Sequence, residues 1–141
     1  MAEPDAEPTY CATSAPAGGG RPRVLCLHGF RSSAELMKVQ LRALGAALGG
    51  AVELVVRDAP TPATGPADPA IPVELQTHEW YGEAGGPFER AWLRCPDRAA
   101  LDATVAALDA EGPWEGVLGF SQGGAVARLV QARWHSIYSI P

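Results

Sequence analysis

Apolar residues follow two rhythms along this chain, and each rhythm predicts a different element. Val24-Leu25-Cys26-Leu27 is an unbroken apolar run behind Arg23, the mark of a strand covered on both faces of a parallel sheet. Val52-Glu53-Leu54-Val55-Val56, apolar but for Glu53, reads as a second strand, and the short apolar run Val117-Leu118, leading into Gly119-Phe120, as a third. Elsewhere the spacing is that of a helix. Met37, Leu41, Leu44 and Leu48 form one stripe behind Ser32-Ser33-Ala34-Glu35, which reads as a capping box, and Gly49-Gly50 stops it. Asp97 caps a second helix with Leu101, Val105 and Leu108 on one face, ended by Gly112-Pro113. A third helix-prone segment, Ala125-Val126-Ala127-Arg128-Leu129-Val130, follows Ser121. The pattern predicts strands over about 23–28, 52–57 and 116–120 and helices over about 33–48, 97–111 and 122–134. Alternating strand and helix gives an α/β class with a parallel sheet and a right-handed crossover between the first two strands.

Three stretches lack either rhythm. Residues 1–22 are rich in Ala, Pro and Gly, with too little apolar surface to bury, and read as a disordered tail. From Asp58-Ala59-Pro60 to about Arg94 the chain is Pro- and Gly-rich with Trp80, Tyr81, Phe88 and Trp92 interspersed. A segment of that length is either a lid or binding loop, or an insertion whose aromatics cover the core. Residues 135–141 read as an irregular tail.

Composition narrows the function. At 141 residues the chain makes one domain, here placed over 23–134. A net charge of −5 with no basic cluster argues against nucleic acid or an anionic membrane surface as the partner. Cys11, Cys26 and Cys95 are odd in number and scattered, and His28, His78 and His135 form no ligand pair, so the expectation is reduced thiols, no metal and no cofactor. Cys26, in mid-strand, is expected to be a small buried hydrophobe. No apolar run is long enough to span a membrane, and the acidic start, Met1-Ala2-Glu3-Pro4-Asp5, is unlike a secretory leader. Together these predict a cytoplasmic setting, with a nuclear one as the alternative.

The chemistry concentrates at Gly119-Phe120-Ser121-Gln122-Gly123, a G-x-S-x-G between a strand and a helix. In that context the motif is a nucleophile elbow: a sharp turn lifts the serine hydroxyl above the end of the sheet in a strained backbone conformation. Gly119 and Gly123 must be small because neighbouring backbone passes close. The Gln122 N–H then lies at a helix N-terminus, where it can receive a developing oxyanion. The same glycines do not make a phosphate loop, since no Lys-Ser or Lys-Thr follows Gly124, and no G-x-G-x-x-G follows the first strand.

Leu25-Cys26-Leu27-His28-Gly29-Phe30, Asp58-Ala59-Pro60 and Leu118-Gly119-Phe120-Ser121-Gln122-Gly123, taken together, resemble the FSH family of serine hydrolases, small cytosolic α/β-hydrolases related to the ovarian-cancer-gene-2 esterase. The resemblance covers roughly residues 22–132. It implies a partial α/β-hydrolase fold and hydrolysis of carboxylic esters or thioesters through an acyl-enzyme, with a small-molecule acyl ester or thioester as substrate. By motif match Ser121 is similar to the nucleophile, and the N–H groups of Gln122 and Phe30 to the oxyanion hole. His28 and Gly29 belong to the loop that carries Phe30; the histidine is expected to hold the turn by hydrogen bonds rather than act as a base.

The sequence departs from the family pattern after the elbow. On this fold the order is Ser, then acid, then His. Twenty residues follow Ser121, with no Asp or Glu and one histidine, His135. In a continuous helix that histidine lies roughly 20 Å along the axis from the elbow. His78 precedes the serine and could serve only as a non-homologous base. The expectation is therefore half of a hydrolase site, with little or no esterase activity in this chain alone. The chain reads as a fragment, a splice product or a gene-model error; the other class of reading is a non-catalytic α/β-hydrolase-like binding protein. The sheet is expected to run in the order 52–56, 23–27, 116–120, leaving the strand of Val117 at an apolar edge prone to pair with a second copy.

Overall fold

The computed structural model describes residues 19–63, 68–80 and 97–138. Most of the expected tail (1–18), the aromatics Tyr81, Phe88 and Trp92, Cys11, Cys95 and the last three residues lie outside them. The elements are, in order, β1 (Arg23–Leu27), α1 (Ala34–Gln40), α2 (Arg42–Leu48), β2 (Glu53–Arg57), β3 (Thr61–Pro62), β4 (His78–Glu79), α3 (Arg98–Ala110), β5 (Gly116–Gly119) and α4 (Gln122–Tyr138). A short 3-10 turn covers Val73–Leu75. No helix among the described residues is long and apolar enough to cross a membrane.

The three apolar runs pair as a parallel sheet in the order β2-β1-β5. Cys26 lies opposite Val56 on one side and Leu118 on the other. This is the fold class and strand order read from the sequence. The alternation of a strand sends Leu25 and Leu27 to one face, where they join Leu101, Val105 and Leu108 of α3 and Val126, Ala127 and Val130 of α4 in the main core. Each such aliphatic side chain, fully buried, contributes on the order of 1.5–3 kcal/mol. Cys26 is fully buried but stands outside that cluster, and burial raises its thiol to about 11, so it stays protonated and inert.

The first helix departs from its prediction in three ways. It is not one helix over 33–48 but two, interrupted at Leu41, where ψ is 0°. The stripe is not sustained across the break: Met37 is buried, Leu44 is exposed, and α2 buries no residue. The cap is Ser33, whose hydroxyl accepts the Leu36 N–H at 3.2 Å. Ser32, one residue before the cap, is instead bridged through its backbone to His78, with Ser32 N–H donating to His78 O at 3.1 Å and His78 N–H to Ser32 O at 2.9 Å.

α3 has the expected cap, with Asp97 accepting the Ala100 N–H at 2.9 Å, and the expected buried face. α4 runs further than predicted, to Tyr138, and takes in residues 135–138 of the expected irregular tail. Part of the long Pro- and Gly-rich stretch is also ordered: β3 and β4 pair antiparallel, Thr61 opposite Glu79 and Pro62 opposite His78. This small hairpin turns Trp80 into the main core, where it is 2% exposed.

Candidate active site

The C-terminal ends of β2, β1 and β5 lead respectively into Asp58, His28 and, one residue on, Phe120-Ser121. Loops at that end of an open α/β sheet are where such folds carry their chemistry. The ends of β1 and β5 are tied together directly, the Phe120 N–H donating to Leu27 O at 3.1 Å.

Ser121 stands at φ 51°, the left-handed region that a residue with a Cβ occupies only under strain. The turn then closes into α4, with Gly124 N–H and Ala125 N–H donating to Ser121 O at 2.9 and 3.2 Å. Gly119 and Gly123 explain why the turn can be this tight. A Cβ on Gly119 would overlap the Gly123 carbonyl, and one on Gly123 would overlap the carbonyl oxygens of both Leu27 and His28. Ser121 is exposed, Gln122 is 3% exposed, and among the described residues the Ser121 hydroxyl has no hydrogen-bond partner. Phe120 is 63% exposed, its ring set against Gly29 closely enough that a Cβ there would lie 3.0 Å from Cδ1. Phe30, the other expected oxyanion donor, is half-buried in the loop after β1. The segments around residues 28 and 121 are thus in contact.

His28 is fully buried and both ring nitrogens are engaged. Nδ1 lies 2.8 Å from Gly29 O, and the Ala59 N–H donates to Nε2 at 2.9 Å. A backbone N–H can only donate, so Nε2 is unprotonated and Nδ1–H donates to the Gly29 carbonyl. The ring is a neutral brace joining the loops after β1 and β2. Burial pushes its pKa below the ordinary 6.5, outweighing the upward pull of the Gly29 carbonyl and Asp58, while His78 pushes the same way as burial. The unfolded chain therefore binds the proton more readily than the folded one just below that ordinary value. This contribution to stability is present above it and is lost as pH falls towards the folded value. Unfolding midpoints measured from about pH 7.5 to 5.5 are expected to fall more steeply for the native chain than for His28→Asn. Equal slopes would mean the ring is not a buried neutral brace.

His78 is one-third exposed, with Nδ1 2.6 Å from Thr77 Oγ1 and 3.4 Å from Asp58 Oδ1. Asp58 also accepts the Ala34 N–H at 2.7 Å, securing the start of α1. The structure thus gives His78 a carboxylate neighbour but places no contact between it and Ser121. α4 is continuous from Gln122 to Tyr138, so the backbone at His135 lies roughly 20 Å along its axis from the elbow.

Two participants escaped the sequence reading. The Trp80 indole N–H donates to His28 O at 2.8 Å, and the Trp80 backbone N–H donates to Gln122 Oε1 at 2.8 Å. Trp80 was legible only as one aromatic among several in a long loop. Gln122 was legible for its backbone, not its side chain.

Comparison with known proteins agrees with this geometry. Residues 20–138 match the family model described as serine hydrolase (FSH1). The chain is 40% identical over 124 residues to a probable esterase of Aspergillus terreus, covering 79% of this chain and 45% of that protein. It is 35% identical over 123 residues to the human esterase OVCA2, covering 78% and 54%, and 36% identical over 124 residues to its bovine counterpart, covering 78% and 54%. The chain therefore spans about half the length of the curated relatives it matches.

Proposed function

The chain belongs to the serine hydrolase (FSH1) family, and from that premise we propose that residues 23–134 carry the nucleophile half of a carboxylesterase or thioesterase site. Ser121 is the nucleophile. Its Oγ attacks the acyl carbonyl as its proton passes to a base, and the carbonyl electrons move onto oxygen. The backbone N–H groups of Gln122 and Phe30 receive that oxyanion. Collapse expels the alkoxide or thiolate, and water hydrolyses the resulting acyl-enzyme. The observation that carries the reading is the strained Ser121 at φ 51° between β5 and α4, since strain of that kind is kept where a reaction uses it.

Neither His28 nor His78 is placed to act as the base. Both nitrogens of His28 are occupied, and His78 is turned to Asp58 and Thr77. No acid follows Ser121 in the sequence. Ester turnover by these 141 residues alone is accordingly weak, because a serine hydroxyl without its base is a poor nucleophile at neutral pH. The scattered cysteines support a reducing, cytosolic or nuclear setting.

A fluorophosphonate probe, followed by peptide mapping, is expected to modify the chain at Ser121, slowly, with p-nitrophenyl ester turnover near background. Brisk ester turnover would overturn the half-site reading. No modification at any probe concentration would favour a non-catalytic binding protein.

A further inference from the structure

We propose that Trp80 is a positioning residue for the oxyanion hole, holding its two donors in register from a segment that contributes no donor itself; this rests on Ser121 being the nucleophile. The donors come from separate loop regions, Phe30 in the loop after β1 and Gln122 where the turn after β5 enters α4. A hole made this way works only if the two loops keep a fixed relation, since donors must meet the oxyanion at hydrogen-bond distance when charge develops.

Trp80 touches both loops. Its indole N–H holds the His28 carbonyl at 2.8 Å, two residues before the Phe30 N–H. Its backbone N–H holds the Gln122 side-chain oxygen at 2.8 Å, on the residue whose own N–H is the other donor. Both bonds are buried, where they are stronger than in water and costly to break. The His28 carbonyl is also one of the atoms against which Gly123 is seated, so the indole bond fixes the surface on which the elbow rests.

Trp80 is itself anchored. The bridge between Ser32 and His78 locks the preceding residues onto the loop of Phe30. The His28 ring lies under the indole, 5.2 Å between centroids. The clamp therefore needs neither a base nor an acid, and it is testable on the chain as it stands.

The test is the saturation kinetics of fluorophosphonate modification at Ser121 in three variants. Trp80→Phe keeps a ring and loses the indole N–H. Gln122→Met keeps the Gln122 backbone N–H and loses the acceptor of the Trp80 backbone N–H. Trp114→Phe is a matched control: its indole donates to Leu108 O at 2.8 Å, just before the start of β5 and so at the other end of the sheet. The first two are expected to slow the maximal modification rate about 10- to 100-fold with the half-saturating probe concentration unchanged. The control is expected to lose thermal stability with the rate unchanged. Rates unaffected in Trp80→Phe and Gln122→Met would overturn the proposal, as would equal slowing in Trp114→Phe, which would mean general loosening. If Trp80→Phe does not fold, Gln122→Met decides alone. A native chain that is never modified would instead sink the Ser121 reading, and the clamp with it.

Discussion

Replacing Ser121 by alanine is expected to reduce fluorophosphonate incorporation to background while leaving the fold intact, a melting midpoint within a few degrees of the native chain. The chemistry needs one hydroxyl at the apex of the turn, and alanine keeps the turn and removes the oxygen. In complete serine hydrolases, losing the nucleophile costs on the order of a million-fold in turnover. Covalent capture is the readout here, since it reports the Ser121 hydroxyl without requiring turnover. Incorporation that survives the substitution would place the reactive group elsewhere. Glycine at the same position separates chemistry from strain. Alanine at φ 51° is as strained as serine, whereas glycine adopts that conformation freely. Strain relief of about 1–2 kcal/mol, less about 0.5–1 kcal/mol for the extra freedom of an unfolded glycine, leaves Ser121→Gly more stable than Ser121→Ala by up to about 1.5 kcal/mol. Equal midpoints for the two variants would mean that the turn is unstrained.

Gly123→Ala is expected to destabilise the protein severely. A methyl group there overlaps the Leu27 and His28 carbonyl oxygens, and neither can retreat. Leu27 O accepts the Phe120 N–H, and His28 O accepts the Trp80 indole N–H. Relief requires moving α4 off the end of β1, at a cost of about 3 kcal/mol or more and a midpoint lower by about 10 °C. Gly45→Ala makes the contrast. Gly45 also lies within a helix, but the nearest atom to its added methyl is Leu54 Cδ1 at 3.9 Å. That substitution is expected to stabilise by about 0.5–1 kcal/mol through helix propensity. Thermal melts of the two variants with opposite signs would tie the cost to the elbow and not to glycine loss in general. A Gly123→Ala chain melting with the native one would mean that the elbow does not rest on β1.

What the sequence made legible was whatever a single element decides for itself. The apolar runs of β1 and β2 read as strands, and Asp97 with Leu101, Val105 and Leu108 as a capped amphipathic helix. The tight turn at Ser121 was legible from its flanking glycines, and the structure shows which carbonyls exclude any larger residue there. Less was legible where one element answers to another. Ser32 and Ser33 are equivalent as caps in the sequence; the structure makes Ser33 the cap and bridges Ser32 to His78. The stripe from Met37 to Leu48 looks continuous on a helical wheel, but Leu41 breaks the helix and leaves Leu44 to solvent. His78-Glu79-Trp80 shows no periodicity at all, because two-residue strands are too short to have one. Its contribution lies in backbone hydrogen bonds and one indole, which pattern cannot reveal.

Among the described residues β5 pairs on one side only, with β1, and it is the strand that delivers Ser121. A strand docking in parallel along its other side would lie about 4.8 Å away. The residues following that newcomer would emerge level with Ser121. The open side of β5 and the rim that carries Ser121 are therefore coupled geometrically. Any polypeptide that pairs along that edge would bring its own following loop beside the serine.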